Sequence, residues 1–388
     1  MKRLRKIVVA PDSFKGSLSS SEVASYVKTG ILKVFPDCDV KSLSIADGGE
    51  GTVDALVDCL GGEVVEAEVN DPLGMLHKAY YGIVEYGGQK TAVIEMAAAS
   101  GLPLLDINER NPMETSTFGT GQLVYDAILR GCRKFMIGIG GSATNDGGTG
   151  MLSALGFRFL DASGNVLEGK GSSLSSIVSV DDSLVLPEVL ESEYLVACDV
   201  TAPFFGPEGA AFVFAPQKGA DQLMTEALDK GLRSFAGVVY EYSGIDISDM
   251  PGAGAAGGLG GGLKAFLGAV LIPGADMVLD AVNFNREVSG SDLVITGEGK
   301  IDRQTSMGKA PACVLKRATA LNIPVFAIGG CVDVPEELGT MGFAAIFPIV
   351  SAPMTSVNAM CPNVAGGNIV RTVSQIMNIL KTCLCVLI

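Results

Sequence analysis

Four glycine-rich segments carry residue types suited to holding an anion. They are Pro11-Asp12-Ser13-Phe14-Lys15-Gly16-Ser17, Ala46-Asp47-Gly48-Gly49-Glu50-Gly51-Thr52, the stretch from Gly138 through Gly140, Gly141, Ser142, Asn145 and Asp146 to Gly148, and Gly297-Glu298-Gly299-Lys300-Ile301-Asp302. Glycine lets the backbone approach a ligand closely, hydroxyls and amides contact an anion, and each segment sets an acidic residue beside Lys or Gly. Taken singly, each is equally well read as a turn or a helix start, because Asp beside Gly often only caps a helix. A fifth segment runs from Asp199 to Pro203 and on to Lys218-Gly219. Asp199 there suits a base or metal ligand and Lys218 a phosphate contact. The plainer reading is a proline-stiffened loop with Asp199 capping a turn.

No Walker A loop is present. Gly252-Ala253-Gly254-Ala255-Ala256-Gly257 has the GxGxxG spacing, but Ser248 to Pro251 does not read as the strand that must precede it, so a Gly/Ala helix packed closely on a neighbour is expected. Gly138 to Ala143, with Asp161 downstream, is a better dinucleotide candidate. It ranks below a phosphate or substrate loop, since Thr144 to Gly148 adds polar groups a dinucleotide fingerprint does not need.

The four segments matter together because each follows an expected strand. Lys6 to Ala10 reads as a buried strand, followed by a long polar loop and a helix from Ser19 to Val34, opened by a Ser19/Glu22 capping box. A strand over Asp39 to Ile45 leads through the second segment into a helix over Thr52 to Cys59. Glu63 to Val69, Lys78 to Val84 and Thr91 to Met96 read as antiparallel or mixed strands. Lys134 to Ile139 feeds the third segment, and Asp161 to Asn165 reads as a hairpin turn. Glu193 to Cys198 is a strand, Asp221 to Tyr242 a long helix. The last third alternates: strand Asp292 to Thr296, helix Lys309 to Leu321, strands Pro324 to Ile328 and Phe343 to Ile349, and a terminal helix around Thr372 to Leu380. In an open α/β sheet ligands collect at the carboxyl ends of the strands, which gives the loops a geometric reason to converge. The expected fold is α/β: a Rossmann-like parallel-sheet domain from residues 1–70 plus 285–388, with a second, inserted mixed α/β domain over 71–284 and an active-site cleft between them.

Composition narrows the function classes. The 388 residues are comfortable for two domains. A formal charge of -15 opposes broad attraction to nucleic acid or anionic lipid, so no nucleic-acid or membrane partner is expected. An anionic ligand must then be neutralised locally, by backbone N–H groups, a few Lys and a divalent metal. Nine cysteines without CxxC pairs fit a reducing, cytoplasmic setting. The one histidine, His77, leaves little material for zinc clusters or Ser-His-Asp catalysis and reads as structural. The apolar run Ile7 to Ala10 is too short for a signal-peptide core. Cys385 to Ile388 formally matches a prenylation box, but only Lys381 stands upstream.

At these loops the sequence resembles the glycerate kinase family of bacterial glycerate and glucarate catabolism. The resemblance rests on Ala10 to Gly16, Ala46 to Thr52, Ile94 to Leu102, Gly138 to Gly150, Ala197 to Val200, Gly252 to Gly262, and Thr296 to Thr305 with Gly308 to Pro311, in family order. It departs mildly at Ser44-Ile45 and at the Cys-rich end. It implies ATP-dependent phosphorylation of D-glycerate, usually at O2, with Mg²⁺ and a two-domain α/β fold. On that footing Asp199, Asp47 and Lys15 are the expected catalytic residues. Gly140, Gly141, Ser142, Asn145, Gly297, Glu298, Gly299, Lys300 and Lys309 are expected to bind ATP, Asp146 and Asp302 the metal, and Asp12, Ser13, Gly48 and Glu50 the substrate. The alternatives are O3 phosphorylation, a Rossmann-type NAD(P) oxidoreductase, and a non-catalytic sugar-acid-binding regulator. Either a monomer or a homo-oligomer is compatible with the sequence.

Overall fold

The computed structural model describes residues 4–333, 340–350 and 352–386. Residues 1–3 of the basic start, and Leu387 and Ile388 of the formal prenylation box, lie outside the described residues. The chain divides into two units: Met1–Asp47, Asp54–Cys59 and Ala275–Ile388, and Gly48–Val53 with Leu60–Gly274. Each has its own sheet.

In the first unit five parallel strands lie in the order Ala345–Pro348, Val325–Val332, Leu293–Ile301, Lys6–Pro11, Asp39–Ser42. This is a doubly wound sheet whose order reverses between Lys6–Pro11 and Leu293–Ile301. Ile7, Val8, Val9 and Ala10 have no exposed surface, the mark of a central parallel strand covered on both faces. The Ser20–Leu32 helix begins at a Ser19/Glu22 capping box and packs on the Pro362–Val386 helix. Val23, Val27 and Ile31 of the one share a core with Ile369, Val373 and Ile376 of the other. The approach is close because Gly30 lies where a Cβ would stand 2.8 Å from the Val373 Cβ.

The second unit carries a six-stranded mixed sheet, ordered Val270–Ile272, Glu193–Ala197, Lys134–Gly138, Gln89–Glu95, Leu76–Tyr86, Gly62–Asn70. The first four are parallel, the last two antiparallel. Gly62–Asn70 belongs to this sheet because a tight turn closes it onto Leu76–Tyr86: Asp71 N–H donates to the Met75 carbonyl, and its carboxylate accepts from Leu73 and Met75. His77 sits in that hairpin, its Nε2 3.2 Å from the Ala98 carbonyl oxygen. Phe157, Phe159, Phe235 and Phe266 stack and meet edge-on in the unit's core.

Three local expectations change. The segment read as a turn at Gly297–Lys300 is extended strand, because Leu293–Ile301 keeps its ladder with Val325–Val332 as far as Ile301. Asp161–Asn165 does turn the chain, but beyond a single bridge from Leu160 to Val166 the Arg158–Leu160 strand pairs with Ser179–Asp181. The Gly252–Gly257 region enters a helix, Ala255–Leu267, interrupted by left-handed Ala256, Gly257 and Gly258. A Cβ on Gly257 would meet the Thr144 carbonyl oxygen at 2.1 Å, so glycine there permits contact between backbones. Among the described residues no helix is long and apolar enough to cross a membrane.

Candidate active site

The first unit's strands end together in a pocket of about 650 Å³. Its floor comes from the carboxyl ends flanking the order reversal: Asp12, Ser13 and Lys15 after Lys6–Pro11, and Glu298, Gly299 and Lys300 of Leu293–Ile301. Asp47 and Lys309 complete the charged side, while Val332, Pro348, Ile349, Val350, Met354 and Met360 form an apolar wall. This is where an open, doubly wound sheet splays its strand ends and makes room for a ligand.

Hydrogen bonds set the charged side in place. Asp12 N–H donates to the Gly297 carbonyl at 2.8 Å, tying the two strand ends across the reversal. Ser20, the first helical residue, donates its hydroxyl to the Pro11 carbonyl at 2.6 Å and accepts from Ile45 N–H at 3.0 Å. One side chain therefore holds both the backbone leading to Asp12 and that leading to Asp47. Lys15 rides on a turn closed by Phe14 and Leu18, whose N–H and carbonyl groups bond reciprocally, while Gly16 takes the left-handed conformation that turn needs. The Lys15 Nζ stands 3.4 Å from Asp47 Oδ2.

Asp12 is 3% exposed. Burial, followed by the nearby negative charge of Asp47, pushes its carboxyl up to about 7, against the pull of the Ser13 N–H and of Lys15; Glu298 adds to the rise. Glu298 is buried, which pushes its carboxyl up, and it accepts from Thr305 Oγ1 at 2.6 Å and Lys309 Nζ at 3.3 Å. Lys300 bonds Asp302 at 2.8 Å, and Asp302 also accepts from Gln304 N–H. That engagement holds Asp302 below its ordinary range, and Asp302 is not among the residues lining the pocket.

The second unit places Gly138–Gly148 at a strand end of its own, after Lys134–Gly138. Its polar groups face inward. Asp146 is fully buried and accepts from four donors: Thr117 N–H and Oγ1, Gly148 N–H and Gly150 N–H. Thr117 Oγ1 in turn accepts from Met151 N–H, so both side chains bond the first turn of Thr149–Ala154, while Asp146 also holds the Thr117 N–H just before Phe118–Leu129. Asp146, for which a metal role was expected, does not line the pocket of the first unit, and its carboxylate bonds four donors of the protein itself. Lys218, 1% exposed, donates to Ser142 Oγ at 2.7 Å and the Thr144 carbonyl at 2.6 Å. Burial pushes its ammonium down to about 7, with Asp146 pulling the other way. Asn145 is buried with both side-chain polar atoms unpartnered among the described residues.

Other expected residues fall out as follows. Asp199 is exposed, and its Oδ1 accepts from Gly274 N–H at 2.8 Å. Gly48 adopts a φ of +86°, where a Cβ would stand 2.6 Å from Ala197 Cβ and Gly274 Cα; Glu50 is exposed. Gly140 and Gly141 lie on the Gly138–Gly148 loop, Gly141 in the left-handed region. Asp161, which a dinucleotide reading would set on a ribose, bonds its own turn through Ser163 and Asn165 N–H. The structure thus brings together Asp12, Ser13, Lys15, Asp47, Glu298, Gly299, Lys300 and Lys309. Sequence reading did not name Ser20 or the apolar wall, and Thr305 entered only as the end of a motif, with no role. The only signal for Ser20 was its place at the helix start, and Met354 and Met360 carried none.

Among the described residues no three His, Cys, Asp or Glu side chains gather as a metal centre. A hard cation held mainly by phosphate and water needs only one or two protein carboxylates. Asp47, beside an Asp12 carboxyl that its charge already disturbs, fits that partial role.

The model of the glycerate kinase family matches residues 7–381. A glycerate kinase of Bacillus cereus is 45% identical over 377 residues, covering 97% of this chain and 98% of the relative. A glycerate 2-kinase of Escherichia coli K12 is 44% identical over 350 residues, covering 89% and 91%. A solved structure from Salmonella typhimurium LT2, described as a glycerate kinase 2, superposes with a TM-score of 0.90 at 42% identity, covering 98% of this chain and 99% of the other.

Proposed function

The chain belongs to the glycerate kinase family, and from that premise we propose that it moves the γ-phosphoryl group of ATP onto O2 of D-glycerate, forming 2-phosphoglycerate and ADP in the cytoplasm. That it is a kinase follows from the family; the position phosphorylated and the residue roles are this proposal. The choice of O2 is supported by the name of the Escherichia coli relative. The carrying observation is Asp12: a buried carboxyl at the order reversal of a parallel sheet, raised to about 7, in a pocket it shares with three lysines.

Phosphoryl transfer needs positioning, charge neutralisation and an acceptor for one proton. Asp12 accepts the proton of the glycerate hydroxyl as that oxygen bonds to the γ-phosphorus and the bond from phosphorus to the β–γ bridging oxygen breaks. A base that titrates near the working pH is ionised often enough to act and basic enough to pull. Lys15 and Lys309 offset the charge that develops on the transferring oxygens, with Lys309 aimed by Glu298 and Lys15 by Asp47. Lys300 adds positive charge at the rim. Asp47 would hold Mg²⁺, which would supply a further positive charge against the phosphates. Ser13 N–H, bonded to Asp12 Oδ1 at 2.6 Å, keeps the carboxyl oriented. Phosphorus-31 NMR of the product from ATP, Mg²⁺ and D-glycerate tests the reading: 2-phosphoglycerate is expected, and 3-phosphoglycerate or no product overturns it.

A further inference from the structure

Phosphoryl transfer leaves one wall of the pocket without a task. Pro348, Ile349 and Val350 extend it from the last strand, and Met354 and Met360 continue it through the Ser356–Met360 helix. Resting on the kinase reading, we propose that this wall is the subsite for the base and ribose of the nucleotide, with the phosphates directed to Lys15 and Lys309.

D-Glycerate cannot be what the wall is for. It has three carbons, each bearing oxygen, and gains nothing by lying against methionine, isoleucine and valine. A pocket of about 650 Å³ falls in the range that encloses a ligand several times larger than a three-carbon acid. A nucleoside has the complementary shape: a flat apolar ring face, a polar edge and a sugar leading to phosphate.

The wall's chemistry matches that face. Met354 and Met360 are 37% and 45% exposed, uncommon for a residue that ordinarily fills cores, and a polarisable thioether packs well on an aromatic ring. A separate observation points to the same ligand. The Ser17 Oγ, on a residue lining the pocket, is buried and without a hydrogen-bond partner among the described residues. An orphaned hydroxyl is costly unless something bonds it, and rotation about the Ser17 Cα–Cβ bond would bring this one to a ribose hydroxyl or a base-edge nitrogen. Ser17 also lies next to the wall, for a Cβ on its neighbour Gly16 would stand 2.9 Å from the Met360 Cε.

Full-length protein carrying Met360→Asp, and separately Met354→Asp, tests this by calorimetry with ADP and with inorganic tripolyphosphate, which has phosphates and no base. Expected are an ADP Kd and an ATP KM raised about tenfold or more, the scale of losing one methionine-sized apolar contact. Tripolyphosphate binding and the KM for D-glycerate should change less than about twofold, and Met360→Leu should restore ADP affinity. Unchanged ADP binding in both aspartate variants, or a rise confined to the KM for D-glycerate, overturns the proposal. Should wild-type protein bind ADP at the wall yet release no ADP with D-glycerate, the acceptor reading fails and the base subsite stands. Both methionines are partly exposed, and thermal melting confirms that each variant is folded before it is scored.

Discussion

Two strand-end clusters in this chain look alike as strings of residues and differ in what their charges face. The loop Gly138–Gly148 sets Asp146 and Lys218 in the interior, where four donors engage the carboxylate and two oxygens engage the ammonium. The strand ends of the first unit set Asp47 and Glu298 near enough to raise the Asp12 carboxyl, beside three lysines, on the wall of a pocket. A buried charge with its hydrogen bonds made is a structural joint, and removing it leaves unsatisfied partners. Carboxylates that repel one another at a pocket are stabilised when a proton, a cation or a substrate arrives. On the proposed reading the same residue types serve stability in one cluster and chemistry in the other.

The sharpest test of that contrast is Asp12→Asn. It should lower kcat by about 10² to 10⁴-fold, the usual loss of a general base, without lowering Tm. Asp146→Ala is its counterpart: a loss of about 3–5 kcal/mol of stability, read by denaturant unfolding, since several buried donors lose their acceptor. The fraction that stays folded should turn over within a few-fold of wild type. If Asp146→Ala left stability intact and abolished turnover, the two clusters would have to exchange roles.

Lys15→Ala is expected to cost about 10²-fold in kcat, as for losing one aimed donor to a transition-state oxygen, with melting unchanged. The pH dependence comes next. Because Asp12 must be ionised to act, kcat/KM should climb about tenfold per pH unit up to about 7 and then level off. Stability should move the other way. The folded chain keeps the Asp12 proton up to about pH 7 while the unfolded chain releases it near 3.8, so this group's contribution is lost as pH rises between those values. Asp12→Asn should accordingly gain stability relative to the parent when both are compared at about pH 8 and about pH 5. The smallest effect belongs to Lys300→Ala: the ammonium is exposed in its ion pair with Asp302, and the denaturant midpoint of unfolding should match the parent's.

Much of the scaffold was legible because its causes are local. Ile7 to Ala10 has no polar residue to offer solvent, and Ser19 with Glu22 starts a helix by bonding each other's backbone. Asp221 caps the Gln222–Ser243 helix by accepting from Met224 N–H. Gly297 to Lys300 misled because glycines that suggest a turn were there for another purpose: a Cβ on Gly297 would stand 2.4 Å from the Ile328 carbonyl oxygen in the neighbouring strand. Gly62–Asn70 could be read as a strand, but the expected boundary at residue 70 grouped it with the first domain; the Asp71–Met75 turn pairs it instead with Leu76–Tyr86 in the second unit's sheet.

What the sequence alone determined was the family, the parallel sheet with its mixed companion, and the list of glycine-rich segments in which any site must lie. Tertiary structure decided which of those segments line a pocket. Whether an aspartate is a cap or a base depends on how many donors reach it and how much solvent is displaced around it, and both are set by residues far away in the chain: Thr117 for Asp146, Asp47 and Glu298 for Asp12.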